Sequence, residues 1–431
     1  MIMVLYSALL YVLAFLCSPW LGCLSWAAFV PLWYSVLNRR VYSFKHGYVW
    51  GLVSFGGTFW FSAVLLHTQA DGVGRELGYV LLICYCAIYS GLWFWAATRL
   101  SNTIWSWLAT TYIYWYLVTS RIFFIIGHNE GISMVCPYLP LCEWPWMSRG
   151  LLAYGHHAAL LLFLVVPLLF VNAVCGKHTR HSLLLASGAL ILIVFGSFFT
   201  HSGCEIPKLG YVAPPDKHLS LWDGVQEIVS SIEAVHDLHQ DVVCCIAPES
   251  TLRFPINNYE RCMQTLAMTR VPCIIGAHGE TNGNLYNKFY YFKNGPIIQA
   301  YEKQHRFPFV EYLPTIWNQI PFFKGLFLSK CRPFSAPCSE RPIMMFGSLP
   351  FIPMICSDFF FASAAPCGNE PIVVLVNDSW FMHTPYFQRV LWLYARMQAM
   401  TWGRGVVYVS HTGGWVLKPD GSHQRMIDRY L

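Results

Sequence analysis

Six long runs in the first two hundred residues contain no Lys, Arg, Asp or Glu: Met1–Asn38, His46–Ala70, Leu77–Thr98, Leu100–Ser120, Gly150–Gly176 and Ser182–Thr200. A hydrocarbon core takes about 20 mostly apolar residues per helix, and these runs match that length. Inside a bilayer the backbone must satisfy its own hydrogen bonds, so such segments are expected as helices. Met1–Asn38 is too long for one helix and is interrupted by "CSPWLG". It reads as a hairpin of two helices, about Ile2–Leu16 and Trp20–Leu37, which makes about seven spans in all. No basic segment precedes the first apolar stretch, which argues against a cleaved signal peptide.

The short loops set an orientation. Arg39, Arg40 and Lys45, then Arg99, then "GKHTRH" at Gly176–His181 follow the even-numbered spans. Cations stay cytoplasmic, so the amino terminus is expected inside, and an odd number of spans delivers the remainder outside. In a bacterium that describes a multi-pass inner-membrane protein with a periplasmic globular half. The net charge of +6 is then largely a topology signal. No basic tract carries the interleaved aromatics of a nucleic-acid site, so no nucleic-acid partner is expected.

After Cys204 the texture changes. Charges, turns and alternating apolar residues appear, giving two expected domains, a transmembrane helical domain at 1–203 and a globular α/β domain at 204–431. "LSLWDGVQEIVSSIEAVHDLH" has helical spacing, whereas "DVVCCIAPES", "VPCIIGAHGE", "IPMICSDFF" and "PIVVLVNDSWF" read as buried strands. "LYNKFYYFKNGPIIQAYEKQH" is a hairpin turning at Asn294-Gly295. Alternating strands and helices indicate a layered α/β fold.

Three polar residues stand at the exits of apolar strands: Glu249 in "CIAPES", Lys303 in "AYEKQH" and Cys356 in "MICSDFF". Strand ends are where α/β folds assemble sites. A thiolate is the reactive form of cysteine, and a nearby ammonium favours it. A carboxylate can take the thiol proton and return it, and the ammonium can stabilise the oxyanion of an attacked carbonyl. Of the sixteen cysteines, Cys244 and Cys245 read as core, and Cys331 with Cys338 as candidates for a small disulfide. No His-Glu-x-x-His or Cys-x-x-Cys pair exists, so neither a metal nor a cofactor is expected. Glu130 and Glu143 read as solvated loop residues.

Together these segments resemble the Glu–Lys–Cys triad of the nitrilase (carbon–nitrogen hydrolase) superfamily, and the membrane half narrows the resemblance to the apolipoprotein N-acyltransferase family. "APES" is similar to that family's Pro-Glu-Ser/Thr turn, which implies Glu249 as general base. "EKQHRFPFVEYLP" resembles its Lys-x-x-Leu-Val-Pro-Phe-Gly-Glu-Tyr-x-Pro signature, implying Lys303 as the oxyanion-stabilising lysine and Glu311 as a second carboxylate. "ICSDFF" stands where the family has Ile-Cys-Tyr-Glu, making Cys356 the nucleophile and giving the place of Glu to Asp358. "NDSWF" matches Asn-Asp-x-Trp-Phe and brings in Asn377 and Trp380, and "LSLWDG" puts Trp222 where the family has a substrate-side Trp. Val310 replaces a loop Gly, and the match ends at Leu431 without the family's final transmembrane helix.

The resemblance implies an α-β-β-α sandwich after the membrane domain and ping-pong acyl transfer. Cys356 would take an acyl chain from a phospholipid as a thioester and pass it to the N-terminal diacylglyceryl-cysteine of a lipoprotein. The apolar loop Leu313–Lys330 would serve as a lid. The alternatives are another membrane-anchored nitrilase-like amidase or acyltransferase, such as a conjugation-associated one, and a catalytically dead membrane scaffold.

Overall fold

The computed structural model describes residues 1–17, 21–38, 41–60, 73–100, 103–120, 136–175, 179–198, 205–215, 219–293, 295, 297–307, 311–313, 318–321, 324–325, 333–335, 342–346, 349–360, 368–381 and 384–428. The chain divides into two compact units, Met1–His201 with Phe381–Thr401, and Ser202–Trp380 with Trp402–Leu431.

The first unit is helical. Its interior is built from aromatic rings, with Trp50 packed against Tyr11, Trp93 and Trp115 at centroid distances of 5.6, 5.5 and 6.3 Å. Two of the buried indole N–H groups find hydroxyl acceptors: Trp50 donates to Ser7 at 3.0 Å and Trp93 to Thr111 at 3.1 Å. The helix Phe44–Thr58 meets the helix Val73–Leu100 through Gly47 and Gly51. A Cβ at Gly47 would lie 2.2 Å from the Ser90 carbonyl oxygen, and one at Gly51 2.6 Å from the Ala87 Cα. The small-xxx-small spacing is therefore what lets the two backbones touch. On the outside of this unit Val174, Leu184, Ile191 and Phe195 are well over half, or close to half, exposed.

The expectation of about seven spans is corrected here. Among the described residues two helices, Tyr79–Leu100 and Gly155–Cys175, are long and apolar enough to cross a membrane, beside three shorter apolar helices, Ile2–Leu16, Leu24–Leu37 and Arg180–Gly196. The reason is helix length. At 1.5 Å per residue, the 15 residues of Ile2–Leu16 rise only about 22 Å, short of a hydrocarbon core of about 30 Å. An absence of charge marks apolar sequence, but it does not say where turns cut it. Glu143 is also corrected: its side chain is 4% exposed and receives the Arg389 guanidinium, Nη2 to Oε2 at 2.7 Å, so it is a buried ion-pair member rather than a solvated one.

The second unit bears out the α/β expectation. One sheet runs β1 (Leu209–Tyr211), β2 (Cys244–Pro255), β3 (Cys273–Thr281), β4 (Asn284–Phe292), β5 (Ile297–Glu302) in spatial as well as chain order, parallel as far as β3 and antiparallel beyond it. The other has the order β11-β10-β9-β8-β7-β6, made of β6 (Met344–Phe346), β7 (Leu349–Ile355), β8 (Ile372–Leu375), β9 (Val406–Ser410), β10 (Gly413–Leu417) and β11 (His423–Arg425). Here β7, β8 and β9 are the parallel centre.

Strand side chains alternate between two buried faces, which is why these strands read as continuous apolar runs. Cys245, Ala247, Cys273, Ile275, Tyr290 and Phe292 face helices, meeting Val225, Ile228 and Ile232 of Leu221–Leu238 and Leu266 of Glu260–Ala267. Their neighbours Cys244, Ile246, Ile274, Phe289 and Tyr291 face the other sheet and meet Ile355, Val373, Leu375 and Val409. The unit is thus layered helix, sheet, sheet. Cys244 and Cys245 are core residues, as expected, one on each face. The hairpin at Gly295 also forms as expected, pairing Phe292 with Ile297.

Candidate active site

Glu249 is aimed by an irregularity in β2. The β2–β3 pairing is regular to Ala247 and resumes at Leu252, so Pro248–Thr251 form a bulge, with Ser250 at φ 53°. Bulges re-aim side chains, and this one turns Glu249 into the site. It presses so close to β3 that a Cβ at Gly276 would lie 2.3 Å from the Pro248 carbonyl oxygen and 2.6 Å from the Glu249 Cα. Lys303 directly follows β5, and its N–H donates to the Asn287 carbonyl at 3.0 Å, extending the β4–β5 pairing by one step. Cys356 directly follows β7, before the short helix Ser357–Phe360. Its N–H donates to the Leu375 carbonyl at 2.8 Å, and its φ is 45°. A left-handed non-glycine residue costs on the order of 1–3 kcal/mol, a strain that clusters at functional sites.

These strand ends bring the three side chains together. Lys303 Nζ lies 2.9 Å from Glu249 Oε1 and 3.0 Å from the Glu311 carboxylate. The Asn287 amide donates to both carboxylates, at 2.7 and 3.1 Å. The backbone N–H of Asn377 donates to Glu249 Oε2 at 2.8 Å, and that of Phe307 to Glu311 Oε2 at 2.6 Å. The Cys356 thiol lies close enough to Glu249, Lys303 and Glu311 to feel all three charges. Glu249, Lys303 and Glu311 are 3, 4 and 6% exposed, so one ammonium stands between two carboxylates with almost no solvent.

The protonation states follow. Burial alone would lower the Lys303 pKa, but Glu249 and Glu311 outweigh it and hold the pKa well above the usual lysine value. Burial pushes the Cys356 thiol well up, Glu249 adds to that, and Lys303 only partly opposes it. Lys303 does favour the thiolate, as expected of a nearby ammonium, but burial, Glu249 and Glu311 act against it. With two carboxylates against one ammonium, the surroundings of the sulfur disfavour the thiolate.

The remaining expected residues divide. Asp358 is completely buried and does not face the triad as a reactant. It accepts from Tyr301 OH at 2.7 Å, from the N–H groups of Gln304 (2.9 Å) and His305, and from the Ile355 N–H at 3.0 Å. It thereby pins the segments next to Lys303 and Cys356 to each other. Asn377 offers its backbone to Glu249 and uses its side chain to cap its own turn at Ser379. Trp222 lies in the helix layer, with the Arg261 guanidinium 4.0 Å above its ring. The Trp380 side chain, Val310, Cys331, Cys338 and most of Leu313–Lys330 fall outside the described residues.

Two site residues escape the sequence reading. Asn287 bridges the carboxylates: a register shift between Tyr291 and Phe292 pairs Lys288 with Glu302 and so sets Asn287 beside Lys303, which the turn at Asn294-Gly295 does not foretell. His411 donates from Nε2 to the Glu249 carbonyl oxygen at 2.9 Å, while Asp378 accepts from the His411 N–H at 2.8 Å. Nothing local marks it. Among the described residues no group of three potential metal ligands is found.

A half-buried cysteine beside a buried carboxylate–ammonium–carboxylate cluster has, as a class, the side chains that nucleophilic chemistry on acyl groups needs. The sequence is similar to apolipoprotein N-acyltransferases: 25% identical to that of Aquifex aeolicus over 353 residues, 74% of this chain and 76% of the relative. It is 32% identical to that of Agrobacterium fabrum over 133 residues, 30% of this chain and 25% of that one. The resemblance read from the motifs is thus borne out. No family model matches the chain. Among solved structures it is similar to a carbon–nitrogen hydrolase of Helicobacter pylori (TM-score 0.38, 12% identity, 51% of this chain and 85% of the other). An amidase of the nitrilase superfamily from Nesterenkonia gives a TM-score of 0.37 at 13% identity, covering 51 and 85%.

Proposed function

We propose that this chain is a cysteine-dependent N-acyltransferase that moves an acyl chain from a phospholipid to the N-terminal diacylglyceryl-cysteine of lipoproteins. The observation that carries this reading is the buried pairing of Lys303 with Glu249 and Glu311, with the Cys356 thiol within reach of their charges. In the first half-reaction Cys356 Sγ attacks the donor's ester carbonyl while Glu249 takes the thiol proton, and Lys303 stabilises the oxyanion. The ester C–O bond breaks, Glu249 returns the proton to the lysophospholipid oxygen, and a thioester remains. In the second half-reaction the acceptor's α-amine attacks the thioester and Glu249 takes an amine proton. The C–S bond then breaks, giving an amide, and the sulfur is reprotonated.

The helical unit is read as a multi-pass anchor in a bacterial inner membrane, with catalysis on the periplasmic side. Two membrane-length helices and outward-facing apolar side chains support the membrane part. Both substrates carry acyl chains, which suits an enzyme held at a bilayer. The loop Leu313–Lys330 is read as a lid for them, and Trp222 and Trp380 as substrate-side residues.

The test uses phospholipid with a labelled acyl chain. A hydroxylamine-sensitive adduct is expected on the wild-type protein and none on Cys356→Ser. Restored growth of a host depleted of its own N-acyltransferase separates this activity from another acyl transfer. An adduct without rescue would favour a different acceptor, and no adduct at all would sink the proposal.

A further inference from the structure

Arg253 stands close to the general base and has no carboxylate of its own. It lies on β2 four residues past Glu249, beyond the bulge, and among the described residues its guanidinium reaches one partner, Ser379 Oγ, at 3.5 Å. Ser379 is tied by its N–H and hydroxyl to Asn377 Oδ1, at 3.3 and 2.6 Å, and the Asn377 N–H is held by Glu249 Oε2. A short hydrogen-bonded path therefore joins the guanidinium to the catalytic carboxylate. His278 and His411 also stand near: burial is the main cause of their lowered pKa values, and the Arg253 charge adds to it in both.

The neighbouring cations are engaged. Lys303 sits between Glu249 and Glu311, and Lys288 pairs with Glu302 at 2.9 Å. Arg253 is accessible to solvent, yet it is sunk far enough for burial to pull its pKa down. It stays cationic all the same and presents a planar fork of donors that matches phosphate oxygens. The triad with Glu311 carries one ammonium against two carboxylates. The phosphodiester of a lipid approaching it meets net repulsion unless a further cation stands beside it.

We propose that Arg253, steadied by Ser379, binds the phosphodiester of the acyl donor and so sets the register in which the donor's ester reaches Cys356. The inference rests on the phospholipid-dependent acyl transfer proposed above. The ligand chemistry is a phosphate bearing two free oxygens, and Arg253 determines donor specificity without taking part in the chemistry.

The experiment measures thioester formation on Cys356 in the full-length, detergent-solubilised protein. It compares phosphatidylethanolamine with a neutral p-nitrophenyl acyl ester that has no phosphate. Losing a charge-assisted hydrogen bond predicts that Arg253→Gln slows acylation by the phospholipid about tenfold or more. The neutral ester should react within about twofold of wild type, and Arg253→Lys should recover part of the loss. Equal losses with both donors, or no loss with either, overturn the inference while leaving the acyl transfer standing. Wild-type protein that reacts with the neutral ester but not the phospholipid sinks the proposed function and this inference with it. If inorganic phosphate slows the neutral-ester reaction of wild type but not of Arg253→Gln, and the two proteins use phospholipid equally, the site belongs to a free anion and the lipid assignment is overturned.

Discussion

Lys303 Nζ and Glu249 Oε1 lie 2.9 Å apart, with side chains only 3 and 5% exposed. At the surface such a pair contributes little, because water and salt screen it. Here both charges have been desolvated, so each depends on the other, and Glu311 and Asn287 complete the arrangement. In the proposed reaction the cluster serves structure and chemistry at once, and substitution separates the two roles.

Removing the ammonium should damage the fold as well as the reaction. Lys303→Met leaves the Glu249 and Glu311 carboxylates buried without a counter-charge. The expected loss is about 3–5 kcal/mol, the usual result of breaking a buried pair from one side. Urea-dependent proteolysis in detergent would report it. Adding Glu311→Gln should restore part of the stability but not the acylation, and a Lys303→Met protein as stable as wild type would contradict the charge assignment.

Glu249→Gln separates the roles in the other direction. Gln keeps an oxygen for the Asn377 N–H and leaves Lys303 paired with Glu311, so the fold should hold. It cannot accept the thiol proton, and the surroundings of the sulfur disfavour the thiolate. Single-turnover acylation should slow by about 10²–10⁴-fold, the range for loss of a general base. A rate within threefold of wild type would mean that another group takes the proton.

Gly276 is the steric condition for the bulge that aims Glu249. Its missing Cβ would collide with the Pro248 carbonyl oxygen at 2.3 Å, and both atoms belong to backbone that cannot swing away. Gly276→Ala should cost about 1–3 kcal/mol as overpacking. It should also slow acylation more than a surface substitution of equal thermodynamic effect, because the displaced atoms belong to the catalytic turn. Comparing acylation rates at matched stability checks this.

The stability of the second unit should fall in mild acid. Burial pulls His278 down to about 4, against about 6.5 for an unfolded chain. Between those values the unfolded state binds a proton that the folded state does not. Stability is therefore full above about pH 6.5, declines as pH drops towards 4, and levels off below, by at most roughly 3 kcal/mol from this group. His411, lowered mainly by burial as well, adds to the same slope. His278→Gln should flatten the dependence of the urea midpoint in that window, and an unchanged slope would exclude His278 as its source.

Glu249, Lys303 and Cys356 were legible because each ends an apolar run, and an abrupt polar residue at a strand exit is visible one segment at a time. Glu311 and Asp358 came with the motifs around them, although the role of Asp358 as a backbone clamp did not. Asn287 was hidden inside an alternating hairpin, where register alone decides which face a side chain takes. His411 acts through a contact with the Glu249 carbonyl, 162 residues away in the chain, and carries no local mark.

Sequence alone marked an apolar helical part ahead of an alternating α/β part, because preference for water and for strand or helix is a property of neighbouring residues, but it did not show that Phe381–Thr401 groups with the helical unit. It also determined which residue types stand at the strand exits. Only the tertiary structure decided how many apolar segments stay helical long enough to cross a bilayer, and that a bulge over Gly276 turns Glu249 inward. It alone decided the surroundings of the Cys356 thiol, whose pKa is raised by burial and by carboxylates from distant segments, since an electrostatic balance exists only once those segments have met.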